Sequence, residues 1–215
     1  MGSADKYVYP GTDVLINKFD CRDKDKLMEI EILSTGGNLA WLQLHPIEGR
    51  FDFQHLKDIH RFIFQDIFDW AGEIRSVDIG KGNLFCRAQF INDYAKDVFK
   101  DFYASCFDAR NDFESYVAIF SSHYADLNAL HPFREGNGRT QREFARELCL
   151  KCGYILDLTR TTHEEMLSAS IVSFNKGDNS EFIDIFSRSI IPIDEYKDYQ
   201  SKLTTDLLIL SKDDI

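Results

Sequence analysis

The run His131-Pro132-Phe133-Arg134-Glu135-Gly136-Asn137-Gly138-Arg139-Thr140-Gln141-Arg142 collects a histidine, a carboxylate, two glycines around an asparagine and three arginines. Few of these side chains can fill a core, so packing alone does not explain the mixture. Their chemistry fits a phosphate. A helix N-terminus offers unpaired backbone N–H groups and a positive dipole end. Gly136 and Gly138 let that backbone approach an anion closely, and the Asn137 amide can donate into the same cradle. Arg139 and Arg142, one turn on, can fork onto more distal phosphate oxygens. Glu135 is a hard oxygen ligand suited to a phosphate-bound magnesium ion, and His131 is the nearby group able to accept a proton near neutral pH. Anion cradle, metal ligand and base together make a phosphoryl or nucleotidyl transfer site. The bland alternative, a helix-end histidine, a dipole partner and a solvated basic face, needs three separate coincidences.

The elements that must hold these groups are helical. Pro132 biases His131 away from the helical region, so a helix should end there. After Gly136 the pattern is helical, with Phe144, Leu148 and Cys152 spaced by four. On that helix Arg139, Arg142 and Arg146 fall on one sector, which reads as a local basic cluster. Upstream, Asp23 to about Leu33 reads as a helix, and Ser34-Thr35-Gly36-Gly37-Asn38 as a breaker. A helix is expected from about Asp52 to Trp70, carrying His55 and His60 in structural or exposed roles. Residues 76–90 break the helical period around Gly80-Lys81-Gly82-Asn83 and predict a β-hairpin. Helices follow from Ile91 to about Phe107 and, capped by Asp112, to Leu127, with Asn128 in a local hydrogen-bonding role. Beyond Gly153, a helix is expected from Thr161 through Phe174, then others near 180–190 and 194–210. Cys149 and Cys152 lie on an apolar helix side and read as core, not as zinc ligands.

At 215 residues the chain reads as one domain with a sizeable core. The expected layout is an arm over 1–20, a core over about 52–190, the hairpin, and a C-terminal helix or tail over 191–215. Apolar content of 44% with 18 Phe argues for a packed globule. A net charge of −11 argues against nucleic-acid or anionic-membrane binding. Nothing reads as a signal peptide or membrane span. Five scattered cysteines fit a reducing compartment, so a bacterial cytoplasmic location is the default, and an effector injected into another cell would look the same.

His131, Phe133, Glu135, Gly136, Asn137, Gly138, Arg139 and Arg142 match, without a gap, the signature of the Fic family, His-x-Phe-x-Asp/Glu-Gly-Asn-Gly-Arg-x-x-Arg. Phe68-Asp69-Trp70-Ala71-Gly72-Glu73-Ile74-Arg75 also resembles the core of that family. The resemblance implies an all-α, Fic-type helical bundle with a short β-hairpin flap over the active site. It implies transfer of AMP from Mg·ATP to a Ser, Thr or Tyr hydroxyl of a target protein. By the same resemblance His131 is the base, Glu135 the Mg2+ ligand and Phe133 a buried anchor of the loop. Gly136, Asn137 and Gly138 form the nest, and Arg139 and Arg142 hold the β- and γ-phosphates. The flap over 76–90 would pair with an extended target segment, which makes Lys81 and Gly82 candidate ATP contacts.

Many Fic proteins resemble one another in an inhibitory helix, Ser/Thr-x-x-x-Glu-Gly/Asn, whose Glu pairs with the second motif arginine, here Arg142. Leu44-His45-Pro46-Ile47-Glu48-Gly49 lacks the hydroxyl residue, and Thr161 to Glu165 is followed by Met166. A separate small antitoxin supplying a Glu to Arg142 is therefore expected, with this chain as the toxin half. Three alternatives stand beside adenylylation: transfer of UMP or phosphocholine, a kinase-type branch, and a non-catalytic nucleotide-binding regulator. Gly138, where the kinase-type branch carries Lys, argues against the second, and the intact His131 argues against the third.

Overall fold

The computed structural model describes residues 6–81 and 83–196. Helices dominate it: α1 (Lys24–Leu44), α2 (Phe53–Phe64), α3 (Ile91–Phe99), α4 (Phe102–Ala109), α5 (Phe113–Leu130), α6 (Asn137–Lys151), α7 (His163–Lys176) and α8 (Ser180–Ser189). Strand β1 (Gly80–Lys81) pairs antiparallel with β2 (Asn83–Leu84), in register Gly80 to Leu84 and Lys81 to Asn83. This is the expected hairpin. A second ladder, β3 (Tyr154–Leu156) against β4 (Ile190–Pro192), was not anticipated, because three-residue strands are too short to show a period of two.

Helix α5 is the axis of the bundle, packed against α3, α4, α6, α7 and α8. Its Tyr116, Phe120, Tyr124, Leu127 and Leu130 are buried, and Phe120 meets Phe186 of α8 edge-on at 4.9 Å. Each aromatic or aliphatic side chain buried this way contributes about 1.5–3 kcal/mol of transfer free energy. The phenylalanine-rich composition therefore fixes where α5 and α6 sit, and with them the loop between them. The caps follow the sequence: Asp23 accepts from the N–H groups of Asp25 and Lys26, Asp112 from Ser115, and Thr162 with Glu165 forms a capping box on α7.

Three expected boundaries move. The Ser34–Asn38 cluster is no breaker: α1 runs through it for 21 residues. Each interior glycine costs about 1 kcal/mol, and tertiary contacts offset that. Thr35 and Leu42 are buried, and Asn38 Nδ2 donates to the carbonyls of Phe62 and Ile63 at the end of α2. Helix α2 stops at Phe64 rather than near Trp70: Gln65 caps it, and the N–H groups of the buried Ile67 and Phe68 both turn back onto the Phe64 carbonyl at 3.0 Å. The helix expected over 91–107 divides at Lys100-Asp101, where Asp101 leaves helical geometry to precede α4.

In the N-terminal arm Tyr7 and Tyr9 are buried, and the Lys18 N–H donates to the Ile67 carbonyl at 2.8 Å. Of the helix expected over 194–210, Ile193–Glu195 is a single 3-10 turn and 197–215 lie outside the described residues. No described helix is long and apolar enough to cross a membrane.

Candidate active site

The loop between α5 and α6 carries the motif. His131 caps α5 in the left-handed region, at φ 43° and ψ 61°. Its Nδ1 lies 3.1 Å from the Asn128 carbonyl, which can only accept, so Nδ1 is the donor and Nε2 is the nitrogen left for a substrate proton. Phe133 is fully buried, stacked on His60 at 3.8 Å. The Phe133 N–H donates to Asn137 Oδ1 at 2.9 Å, and Asn137 Nδ2 donates back to the Phe133 carbonyl at 2.8 Å. The Asn137 amide thus ties the loop to itself through Oδ1 and one Nδ2 N–H, and Asn137 also lines the cleft. His60 accepts from Gly72 N–H at Nδ1 (2.8 Å) and donates from Nε2 to the Glu135 carbonyl (3.0 Å). Burial pushes its pKa down to about 3, so it stays neutral and fixes the loop from beneath.

The glycines differ in what they permit. Gly136 has φ 78°, and a methyl there would meet the Phe64 ring at 2.1 Å. A methyl at Gly138 would meet only Arg142 Nη1, at 3.2 Å. The Glu135 carboxylate is half-exposed and accepts from Gly136 N–H at 2.9 Å, with Arg139 Nη2 at 3.7 Å.

The arginine sector does not act as one cluster. Arg139 Nη2 donates to Glu31 Oε2 at 2.8 Å and Nη1 to Thr35 Oγ1 at 3.3 Å, with its guanidinium over the Phe64 ring. Burial pushes the Glu31 carboxyl pKa up, while the adjacent Arg139 opposes that shift. Arg146 closes on Glu143 at 2.9 and 2.6 Å and on the Leu42 carbonyl, away from the cleft. Arg142 is exposed and makes no hydrogen bond or ion pair among the described residues. His131, Glu135, the nest and Arg142 line one cleft of about 430 Å³, closed on the flap side by Ile79, Gly80 and Phe85. The Phe85 ring lies flat on the His131 imidazole, 3.7 Å between centroids and 9° between planes. Gly82 and the Lys81 side chain, the expected flap contacts, lie outside the described residues.

The Fic/DOC family model matches residues 50–149, the span from α2 to α6. Over 173 residues the chain is 38% identical to "Probable protein adenylyltransferase y4lH" of Sinorhizobium fredii, covering 80% of this chain and 88% of that protein. The chain belongs to the Fic/DOC family. It is also 37% identical over 174 residues to "Protein adenylyltransferase VbhT" of Bartonella schoenbuchensis, where it spans 80% of itself and 36% of that longer protein. Among solved structures, the N-terminal Fic domain of a putative cell filamentation protein from Bartonella quintana, with bound ADP, superposes with a TM-score of 0.79 at 27% identity. That superposition covers 93% of this chain and 97% of that one.

Several residues of this Fic/DOC site escaped sequence reasoning. Glu31 and Thr35 lie outside the matched span yet engage Arg139. His60 was expected to be structural, but its hold on Glu135 had no local signature. Arg75 and Phe85 join the site through contacts that no spacing in the sequence displays.

Proposed function

We propose that this chain is a protein adenylyltransferase that moves AMP from ATP to a hydroxyl side chain of a target protein. One observation carries the reading: His131 has its Nδ1 engaged by the Asn128 carbonyl and shares a cleft with the glycine nest and an exposed Arg142 that is unpaired among the described residues. Names of relatives at 37–38% identity support it.

His131 Nε2 takes the proton of the target hydroxyl as that oxygen forms a bond to the α-phosphorus. The bond from the α-phosphorus to its bridging oxygen breaks, and pyrophosphate leaves with the electron pair. Backbone N–H groups of Asn137 and Gly138, at the first turn of α6, face the charge that builds on the phosphate, where fixed donors act without reorganising. Arg142 binds the terminal phosphates. Arg139, held by Glu31 and Thr35, presents its remaining N–H groups at the same end. Gly138 leaves room for the α-phosphate beside the base.

Glu135 fits Mg2+: its carboxylate is a half-exposed hard oxygen donor lining the cleft, and among the described residues no cluster of three or more ligating side chains exists. That suits an ion that takes most of its ligands from phosphate and water. The chemistry such an ion would supply is neutralisation of phosphate charge. Glu135 would hold the ion, and His60 fixes the Glu135 backbone.

The target segment adds to the free edge of the two-stranded flap, whose strands pair only with each other among the described residues. Regulation falls on Arg142, which an external glutamate from a small antitoxin would occupy. Thr161 and Glu165 do not supply it, since Glu165 caps α7 and pairs with Arg188. A cytoplasmic bacterial setting, or delivery as an effector, follows from the same reading. Intact-protein mass spectrometry after incubation with Mg·ATP and a bacterial lysate tests it, with His131→Ala as control. One added AMP, absent from the control, is the expected result. An added phosphate, or an adduct that survives in the control, refutes it.

A further inference from the structure

Arg75, in the irregular segment between α2 and β1, is 1% exposed and makes no ion pair among the described residues. A buried cation is costly unless its donors are satisfied, and an apolar residue would fill the space more cheaply. Here the satisfaction comes from carbonyls alone. Nε donates to the His131 carbonyl at 2.9 Å, Nη1 to the Val77 carbonyl at 2.8 Å, and Nη2 to the Cys86 carbonyl. The Arg75 backbone N–H donates to the Pro132 carbonyl at 2.9 Å, and Cys86 N–H to the Ala129 carbonyl at 3.1 Å. Val77 and Cys86 are the two roots of the flap. His131, Pro132 and Ala129 are the end of α5 that carries the base. One planar fork therefore spans both roots of the flap and the base-bearing backbone, which a point-charge ammonium cannot do. Above it, Phe85 of the flap stacks on the His131 ring.

We propose that Arg75 is a positioning residue that makes the flap and the base-bearing loop one rigid unit, fixing the distance between a flap-bound target hydroxyl and His131. This rests on the adenylylation reading for its consequence and on geometry for its mechanics. A misplacement of about 1 Å at the reacting atoms costs on the order of 100-fold in rate.

Hydrogen–deuterium exchange on the nucleotide-free wild-type protein comes first. Residues 77–86 and 129–134 should open with the same free energy and the same denaturant dependence. Independent opening of the two segments overturns the proposal, whatever any variant does. In Arg75→Lys, exchange in both segments should rise together by at least about 10-fold, with α6 unchanged. The transfer kcat should fall by about 100-fold, while affinity for a non-hydrolysable ATP analogue stays within about 2-fold. A parallel loss of ATP binding and global stability, or an unchanged kcat with a loosened flap, overturns it. If the wild type binds ATP but modifies nothing, the adenylylation reading fails while the exchange data still decide the coupling.

Discussion

Alanine at Gly136 and alanine at Gly138 add the same methyl two residues apart, and the structure separates their consequences. At Gly136 the backbone is left-handed, φ 78°, which costs a non-glycine residue about 1–2 kcal/mol. The methyl would also lie 2.1 Å from Phe64 Cζ and 2.3 Å from Cε2. That ring is fully buried, stacked against His60 at 4.7 Å and capped by the Arg139 guanidinium, so it has nowhere to go. Overpacking of this kind costs about 1–3 kcal/mol. The total of about 2–5 kcal/mol corresponds to a Tm loss of roughly 4–20 °C at this chain length. At Gly138 the backbone is helical and the nearest atom is the tip of Arg142, a flexible side chain, at 3.2 Å. Stability should stay within about 1 kcal/mol of wild type. Nucleotide binding should suffer instead, because the methyl displaces Arg142 and stands where the phosphate must approach. Loss of one charge-assisted hydrogen bond, about 1.5–3 kcal/mol, means a roughly 10–100-fold higher Kd. Differential scanning calorimetry and titration with a non-hydrolysable ATP analogue read the two effects separately. Equal Tm shifts in the two variants, or a Gly136→Ala protein melting within about 2 °C of wild type, would refute the geometry.

His131→Ala should abolish transfer while leaving ATP affinity within about 2-fold, since the ring contributes proton transfer and not phosphate binding; titration calorimetry beside the mass assay checks both. Arg142→Ala should weaken ATP binding by about 10–100-fold. Arg139→Ala should also lower stability, because it strands the nearly buried Glu31 carboxylate; the two arginines differing in binding only, with equal Tm, would contradict this. His60 supplies a pH signature. Its folded pKa of about 3 lies below the ordinary 6.5, so the unfolded chain binds the extra proton. The stability it supports is complete above pH 6.5 and falls by up to about 1.4 kcal/mol per pH unit as pH drops toward 3. Urea midpoints measured across that window should lose this slope in His60→Gln, and an unchanged slope would count against a buried neutral imidazole.

The motif from His131 to Arg142 declared its chemistry in the sequence because its parts are local. A turn, a helix start and residues one turn apart are fixed by chain geometry, so spacing alone places them. The caps at Asp23, Asp112 and Thr162, the hairpin at 80–84 and the all-α class are legible for the same reason. Assignments that depend on what lies across the bundle were not. The glycine pair at 36–37 signals a break, yet buried Thr35 and Leu42 hold α1 straight through it. Arg139, Arg142 and Arg146 look equivalent on a helical wheel. Only the placement of α1 and of Glu143 pairs the other two and leaves Arg142 unpaired among the described residues. The Asn137 amide could face either way until the Phe133 backbone closed on it. Arg75, 56 residues before His131, reaches the base-bearing carbonyl because burial removes water as an alternative partner. Sequence spacing thus determined which groups are present at the site, and tertiary burial decided which remain available to a substrate.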